Sequence, residues 1–396
     1  MEDRDQRSEG QQPTSSSLPT SPKEVRWTGV NKLQGPAAQT RVQRPSGTPT
    51  KPKGFAKVGE VSSVASRKRR QEQQNRLNEI LSSLPEEERR LYLANPHLQQ
   101  VAACRLPLQR KPLFTAKDRL LDLKTAPRAP YRPRNEEIKT FVHSGQRKLL
   151  ITEIEFLSRF SLPNDVVIYA GAAGGFHQKI LAELFKQVLF VLYDPQPFTV
   201  QPTPMREIHQ NLFTTQTAQQ LSLRFQREGR RILFISDIRR VEEGSPELDR
   251  QKLIIEDLEA QRVWMEILKP AASLLKFVMP YPIEGIPEHL GYSDGTIFLQ
   301  PWVGATSTET RLLVLDQRTE VDYDVKQYEE ALAYHNQITR ATYYEAIEGV
   351  PPDQIGCHCY DCASELFVLN QYARRQGAAL RVDVKGLVRE LDRLFQ

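Results

Sequence analysis

The stretch Val166-Val-Ile-Tyr-Ala-Gly171-Ala-Ala-Gly-Gly175-Phe-His177 joins a short apolar run to a glycine-rich turn and a helix start. Valine and isoleucine favour a buried strand, and glycine allows a turn to adopt positive φ and to approach a ligand closely. A second apolar run, Val188–Tyr193, ends at Asp194, whose carboxylate can accept hydrogen bonds from ribose hydroxyls. This arrangement is typical of a nucleotide-like cofactor bound beyond the carboxyl ends of parallel strands.

The glycine pattern argues against some classes of ligand, but it does not show that any ligand binds. It is G-x-x-G-G rather than G-x-G-x-x-G, which disfavours a dinucleotide, and the chain has no G-x-x-x-x-G-K-[ST] loop for a nucleoside triphosphate. A tight turn with no ligand would need the same glycines. Other segments therefore have to decide between these alternatives.

Strands and helices alternate through the middle of the chain. The periodicity predicts helices at Lys148–Phe160, Phe176–Lys186 and Leu253–Leu268, and strands at Val166–Tyr169, Val188–Tyr193, Arg231–Ser236, Ser273–Met279, Thr296–Leu299 and Glu309–Val314. Such alternation predicts an α/β fold in which a mostly parallel sheet has helices on both faces.

Composition divides the chain into four segments. Residues 1–65 are rich in Pro, Ser, Gln and basic residues, and we interpret them as a disordered basic tail. Residues 66–130 are interpreted as a helical segment followed by an extended connector over residues 106–134. Residues 131–345 form the α/β domain, and residues 346–396 a C-terminal helical segment packed on it, the chain after Tyr323 being mainly helical.

Charge and cysteine content indicate the setting. Residues 1–150 carry 29 Lys and Arg against 15 Asp and Glu, whereas residues 151–396 carry 25 against 34. This asymmetry favours a polyanionic partner such as nucleic acid, although a solvated basic tail would look the same. No apolar run is long enough for a membrane helix, the start of the chain does not resemble a secretory signal, and four cysteines indicate a reducing, intracellular environment.

Four charged residues stand near the ends of predicted elements. Lys148 begins the helix before the glycine-rich strand, and Asp237 follows the strand in Phe234-Ile-Ser-Asp237-Ile-Arg-Arg240. Lys276 lies late in the apolar strand Ser273-Leu-Leu-Lys276-Phe, and Glu309 opens the next one. Taken singly, such residues are usually a snorkelling lysine, a helix cap or a surface acid. Only their joint occurrence indicates chemistry.

Together, Lys148, Asp237, Lys276 and Glu309 resemble the Lys-Asp-Lys-Glu tetrad of RNA ribose 2'-O-methyltransferases. Their order and contexts are similar to the poxvirus cap 2'-O-methyltransferase family, which also serves as the small subunit of the viral poly(A) polymerase. The similarity runs from about Tyr131 to about Arg375. Its motifs are Gly145-Gln-Arg-Lys-Leu-Leu-Ile-Thr-Glu153, the Gly171 turn, Ile235-Ser-Asp-Ile-Arg239, Ser273-Leu-Leu-Lys-Phe-Val-Met-Pro-Tyr-Pro282, Leu299-Gln-Pro301 and Glu309-Thr-Arg-Leu-Leu313.

The resemblance implies a Rossmann-like, S-adenosylmethionine-dependent methyltransferase domain at residues 131–345. Its expected substrate is capped mRNA, methylated on the ribose 2'-hydroxyl of the first transcribed nucleotide. The alternative is an RNA-binding processivity subunit for the catalytic subunit of a viral poly(A) polymerase, with or without methyl transfer. A small-molecule methyltransferase fits the tetrad less well. The expected origin is a large DNA virus, with the protein in the host cytoplasm and in the virion.

The resemblance also assigns roles to residues. Lys276 is the expected base, which requires a lysine pKa below the usual value of about 10.4, while Asp237 and Glu309 orient the lysines. The expected cofactor-binding residues are Gln146, Tyr169, Gly171, Gly175 and Asp194. The expected cap-binding residues are Tyr131 and Tyr281, whose rings would stack on the cationic 7-methylguanine, and Glu329, which would accept its N–H groups. At the position where the family has a second cap-binding acid, this chain has Ile283. Glu284, the next residue, is the alternative acid for that contact.

The segment Cys357-His-Cys-Tyr-Asp-Cys362 resembles a metal knuckle. Zinc takes four ligands in tetrahedral geometry, but residues so close in sequence rarely all reach one ion, and no second C-x-x-C follows. We therefore expect buried thiols at the start of a C-terminal helix, and no metal.

Overall fold

The computed structural model describes residues 71–95 (without 73–74, 76–77 and 80), 109–131, 145–240, 244–304, 306–377 and 382–395. The predicted disordered tail lies outside these residues. The helices are α1 (Glu86–Ala94), α2 (Gly145–Phe160), α3 (Gln178–Leu184), α4 (Thr215–Arg227), α5 (Glu247–Leu268), α6 (Val325–Gln337), α7 (Tyr360–Gln376) and α8 (Val384–Phe395). The strands are β1 (Arg110–Phe114), β2 (Leu120–Leu121), β3 (Val166–Ala170), β4 (Leu189–Tyr193), β5 (Arg206–His209), β6 (Ile232–Ser236), β7 (Ala272–Phe277), β8 (His289–Ser293), β9 (Thr296–Phe298), β10 (Thr310–Val314), β11 (Glu320–Asp324) and β12 (Tyr343–Ile347).

The central sheet has eight strands in the order β2-β9-β10-β7-β6-β3-β4-β5. Strands β7, β6, β3, β4 and β5 run parallel, and β10, β9 and β2 continue the sheet antiparallel. Every residue of β3, β4 and β6 is buried, as expected for parallel strands covered on both faces. The predicted α/β class with a mostly parallel, Rossmann-like sheet is confirmed.

The strand order fixes where helices and ligands can lie. From β3 the chain passes through α3 to β4 on one side, whereas α4 and α5 lead to β6 and β7 on the other side. Right-handed crossovers therefore put α3 on one face of the sheet and α4 and α5 on the other. The connections diverge between β3 and β6, and ligands of such sheets bind at this switch point, beyond the carboxyl ends of the strands.

Two strands lie where the sequence predicted only a connector. β2 pairs with β9 and so joins the central sheet, and β1 pairs in parallel with β12 through partners such as Arg110 and Tyr343. The interpretation of residues 106–134 as a connector was therefore wrong for these strands. The reason is physical: β1 is short and mostly exposed, and its pairing depends on a segment more than 200 residues away.

Helix α5 begins at Glu247, six residues before the predicted start at Leu253. Its first turn follows Pro246 and contains Glu247 and Asp249, whose charges favour the positive end of the helix dipole. The apolar periodicity starts only later, which explains the difference.

No helix in the described part of the chain is long and apolar enough to span a membrane.

Candidate active site

The glycine-rich turn after β3 is held against the end of β6. Gly171 has φ +80°, and a Cβ atom there would lie 2.8 Å from the carbonyl carbon of Asp237. Gly175 has φ +70°, and its Cβ would lie 2.8 Å from Cγ2 of Val200. Both conformations favour glycine, and both sites lack room for a side chain. The two glycines predicted to bind the cofactor are therefore also required by the shape of the turn.

Asp194 fastens the end of β4 to this turn. Its Oδ2 accepts the backbone N–H of Ala173 at 2.8 Å, and its Oδ1 accepts the backbone N–H of Gln196 at 2.8 Å. Each carboxylate oxygen keeps a further lone pair for a hydrogen bond. Asp194 is thus oriented at the sheet edge as an acceptor, and this fits the two hydroxyls of a nucleoside ribose.

A polar network supports the same turn from helix α2. Oε1 of Gln146 lies 2.7 Å from Nδ1 of His177, and Nε2 of His177 lies 2.9 Å from Oε2 of Glu153. The hydroxyl of Tyr169 donates to Oε1 of Glu153 at 2.6 Å, and the tyrosine is only 1% exposed. Burial raises the pKa of Tyr169, which therefore stays a neutral donor. Sequence reasoning missed Glu153 and His177, and it did not anticipate that the Tyr169 hydroxyl binds inside the protein.

The four residues of the tetrad meet in one cluster. Nζ of Lys148 lies 2.5 Å from Oε1 of Glu309. Nζ of Lys276 lies 3.0 Å from Oδ1 of Asp237 and 3.7 Å from Oε2 of Glu309. Helix α2, the end of β6, strand β7 and the residue before β10 each provide one side chain. Lys148 is paired tightly with its carboxylate, whereas the contact of Lys276 with Glu309 is looser.

Arg311 is a fifth member that sequence reasoning did not identify. Its NH2 group lies 2.6 Å from Oδ1 of Asp237 and 3.1 Å from Oε1 of Glu309, and its side chain is 3% exposed. A signal was present in the sequence. Glu309 and Arg311 are two residues apart, and strand side chains at that spacing lie on the same face of the sheet. Three cations thus surround two carboxylates, leaving one positive charge in excess.

Burial and charge set the protonation of this cluster. Burial lowers the pKa of Lys148, although the charge of Glu309 opposes this effect. Burial would raise the pKa of Glu309, but the charges of Lys276, Lys148 and Arg311 outweigh it and hold that pKa well below its usual range. The charges of Arg311 and Lys276 likewise lower the pKa of Asp237. Both carboxylates are therefore ionised near neutral pH, and each fixes the cations beside it.

Two tyrosines expected to bind the cap contact each other. The ring centroids of Tyr131 and Tyr281 are 5.5 Å apart with an interplanar angle of 39°, and their hydroxyls are 3.4 Å apart. The backbone N–H of Tyr281 donates to Oε1 of Gln251 at 2.8 Å. A base stacked between two rings needs a separation of about 7 Å, twice the ~3.5 Å van der Waals distance. The pair must open slightly to admit one.

The tyrosines line a cavity of about 690 Å³ that extends to the charged cluster. Its wall includes Tyr131, Tyr281 and Glu329 together with Glu309. Ile283 lines this cavity and also the adjoining cavity that Glu284 lines. The volume falls in the range of small-ligand sites, roughly 300–1,000 Å³. All three expected cap-binding residues therefore face one space.

Glu329, another acid of this cavity, has a raised pKa. Burial, followed by the negative charge of Glu330, raises the pKa of Glu329 to about 7. The carboxyl group is therefore partly protonated at neutral pH when the cavity is empty. A cationic ring in the cavity would favour its ionised form.

The sequence of this chain is similar to those of known proteins. The family model described as poly A polymerase regulatory subunit matches residues 110–350, more than half of the chain. The chain is 30% identical over 220 residues to the cap-specific mRNA (nucleoside-2'-O-)-methyltransferase of myxoma virus strain Lausanne, covering 52% of this chain and 64% of that protein. It is 26% identical over 211 residues to the fowlpox virus protein of that name, covering 48% and 67%. The chain thus matches less than two thirds of the length of the myxoma protein.

Proposed function

Because the chain belongs to the poly(A) polymerase regulatory subunit family, we propose that it methylates capped mRNA. The methyl group passes from S-adenosylmethionine to the ribose 2'-hydroxyl of the first transcribed nucleotide. One observation carries this proposal: a single cavity joins the Tyr131–Tyr281 pair to Glu309 of the tetrad. The names of the myxoma and fowlpox relatives support the same activity.

The cofactor is held at the switch point of the sheet. S-adenosylmethionine, when bound, supplies an electrophilic sulfonium methyl. The turn at Gly171 and Gly175 lets the backbone approach it, and Asp194 accepts hydrogen bonds from its ribose hydroxyls. Gln146 and His177 fix the far side of the turn, with 2.7 Å between Oε1 and Nδ1. Gly171 contacts the backbone of Asp237, so this turn directly adjoins the tetrad.

Lys276 takes the proton of the attacking 2'-hydroxyl. Its distance of 3.7 Å to Oε2 of Glu309 leaves it more available than Lys148, which is 2.5 Å from Oε1 of the same residue. Asp237 directs Lys276 by a 3.0 Å ion pair. To take the proton, Lys276 must start as the neutral amine. Once it has taken the proton, its charge and those of Lys148 and Arg311 exceed the charge of the two carboxylates and stabilise the developing oxyanion. Holding the hydroxyl in line with the methyl is worth roughly 7–11 kcal/mol.

The cap is recognised by stacking and charge. Tyr131 and Tyr281 separate to hold the positively charged 7-methylguanine between their rings, and Glu329 accepts its N–H groups. Since the same cavity reaches Glu309, a bound cap places the first nucleotide next to the tetrad.

Replacing Tyr281 with alanine is expected to weaken binding of capped RNA by about 5–150-fold. This range corresponds to roughly 1–3 kcal/mol for one base stacked on an aromatic ring. Affinity for uncapped RNA should not change. Fluorescence anisotropy with one RNA, capped and uncapped, measures both, and Tyr281→Phe is the matched control that keeps the ring. Equal losses on the two RNAs would refute the stacking role.

Cap affinity is expected to rise as the pH increases through about 7. The reason is that Glu329, with its pKa of about 7, must be ionised to accept hydrogen bonds from the cationic base. A titration of cap-analogue binding between pH 6 and 8 measures the slope. The cap itself also titrates, so Glu329→Gln gives the reference slope. An identical pH dependence in the variant would show that Glu329 does not contact the cap.

The same substitution tests the burial of Glu329. Because the pKa of Glu329 is raised in the folded state, this carboxyl group ionises at lower pH in the unfolded chain than in the folded protein. Glu329 therefore lowers the free energy of unfolding as the pH rises above about 4.5, and the full loss is reached above about 7. Glu329→Gln should therefore be more stable than the parent protein at pH 8 and similar to it at pH 4. Thermal unfolding at both values checks this expectation.

The proposed acceptor is tested with a matched pair of capped RNAs. One carries a 2'-hydroxyl on the first nucleotide and the other a 2'-deoxyribose at that position. Label from S-adenosylmethionine should enter the first RNA and not the second. Equal labelling of the two would place the methyl group elsewhere and contradict the proposed acceptor.

The family match favours a second function beside the first. Its description, poly A polymerase regulatory subunit, supports the proposal that the chain also binds RNA for the catalytic subunit of a viral poly(A) polymerase. Adding the protein to such a subunit should lengthen the tails made per binding event. Lys276→Ala should keep this effect, since a lost proton acceptor does not remove an RNA-binding surface. No change in tail length would exclude this second function.

A further inference from the structure

Three cysteine sulfurs converge where helix α7 begins. The Sγ atoms of Cys357, Cys359 and Cys362 all lie within 4.8 Å of one another. Cys357 and Cys359 are 7% and 2% exposed, and Cys362 is half-buried. Three sulfurs about 2.3 Å from one tetrahedral zinc ion are themselves roughly 3.8 Å apart. The cluster therefore needs only small side-chain adjustments to share an ion, contrary to our expectation from the sequence.

Burial raises the pKa of the Cys359 thiol and the neighbouring sulfurs raise that of Cys362, and the backbone offsets part of this cost of forming thiolates. Cys359 is the N-cap of α7, and its Sγ accepts the backbone N–H of Cys362 at 3.5 Å. A hydrogen bond to sulfur and the positive end of a helix dipole both stabilise a thiolate, which is the form that binds metal. Soft thiolates select zinc and similar ions rather than magnesium or calcium.

We propose that Cys357, Cys359 and Cys362 bind one structural zinc ion. The ion replaces the three thiol protons, which pass to solvent, and no electron transfer is involved. Among the described residues no other His, Cys, Asp or Glu completes the group. Zinc takes four ligands, so the three thiolates leave one coordination position for a donor outside this cluster.

Zinc at this position would join three separate parts of the chain. Tyr92 of α1 packs against Cys357 and Cys359 in a small apolar cluster. Oδ1 of Asn95 accepts the backbone N–H of His358 at 2.8 Å, and Nδ1 of His358 lies 2.6 Å from the backbone oxygen of Tyr344 in β12. The ion would therefore fasten α1 and β12 to the start of α7. Its role is structural and separate from methyl transfer.

Zinc content of the full-length protein tests the proposal. We expect one zinc ion per chain after dialysis, measured by mass spectrometry of the elements, and a lower thermal midpoint after removal by a chelator. Cobalt added to the metal-free protein should give an intense thiolate-to-cobalt absorption band. Each of Cys357→Ser, Cys359→Ser and Cys362→Ser should weaken zinc binding by at least about tenfold, as loss of one thiolate removes a ligand from the ion.

Two controls keep the result interpretable. Cofactor binding and circular dichroism show whether each variant is folded, so that metal loss is not confused with unfolding. Lys252→Ala, which changes an exposed lysine of α5, controls for the effect of a substitution outside the cluster. A protein that binds neither zinc nor cobalt would overturn the proposal, as would folded cluster variants that all keep the metal. Loss of zinc from the folded cluster variants upholds it.

Discussion

Replacing Lys276 with alanine is expected to lower kcat for methyl transfer by about 10²–10⁴-fold, the usual contribution of a positioned proton acceptor. S-adenosylmethionine should still bind, because Lys276 is held by Asp237 at 3.0 Å, whereas Asp194, the carboxylate proposed to bind the cofactor ribose, is held by the backbone N–H of Ala173. Single-turnover transfer to capped RNA measures the first quantity, and calorimetric titration with the cofactor measures the second.

Two further variants separate proton acceptance from charge. Lys276→Arg keeps a positive charge but cannot release its proton near neutral pH, so it should be about as inactive as the alanine variant. Lys252→Ala changes an exposed lysine of α5 and should leave transfer unchanged. Substantial activity in Lys276→Arg would mean that the residue acts by charge alone. Substantial activity in Lys276→Ala would remove it as the base.

Replacing Arg311 with methionine is expected to cost about 3–5 kcal/mol of folding free energy near neutral pH. Removing one partner of a buried ion network usually costs this much, because the remaining charges stay buried without compensation. Arg311 lies 2.6 Å from Asp237 and 3.1 Å from Glu309, and its side chain is 3% exposed. Urea unfolding at pH 7 measures the loss, and methyl transfer should fall as well because both carboxylates lose their orientation.

The pH dependence gives this prediction a second readout. Arg311 helps to lower the pKa values of Asp237 and Glu309, and the resulting stabilisation of the folded state is full above pH ~4 and is lost progressively as the pH falls below that, through the lowered folded-state pKa values. The difference between the parent protein and Arg311→Met should therefore shrink as the pH falls toward 4 and below. Arg318→Met, which removes an exposed arginine paired with Asp316, should leave stability nearly unchanged. A similarly small effect at Arg311 would contradict its role.

The central sheet was predictable because its inner strands carry their own signal. Strands β3, β4 and β6 are buried at every position, so their sequences are uninterrupted apolar runs. Strands β1 and β12 carry no such signal, because each is partly exposed and is stabilised by the other, more than 200 residues away in the chain. Local patterns identify elements that bury themselves, and they miss elements that depend on a distant partner.

The residues of the site also fall into those that local sequence patterns identify and those that depend on distant contacts. Asp194, Asp237 and Lys276 stand at or near strand ends, where topology alone brings them to one edge of the sheet. Arg311 does not stand at the carboxyl end of a parallel strand, so topology does not identify it. Its role depends on contacts with Asp237, 74 residues away in the chain. The position of Tyr131 likewise depends on a distant contact, with Tyr281, which is 150 residues away in the chain.

The most direct test of the central claim uses the purified protein, labelled S-adenosylmethionine and three short RNAs of one sequence. One carries a 7-methylguanosine cap, one an unmethylated guanosine cap and one no cap, and nuclease digestion locates the label. We expect label on the ribose of the first nucleotide, and only in the RNA with the methylated cap. Tight RNA binding without transfer to any of the three would contradict this expectation and favour a regulatory subunit that lacks the chemistry.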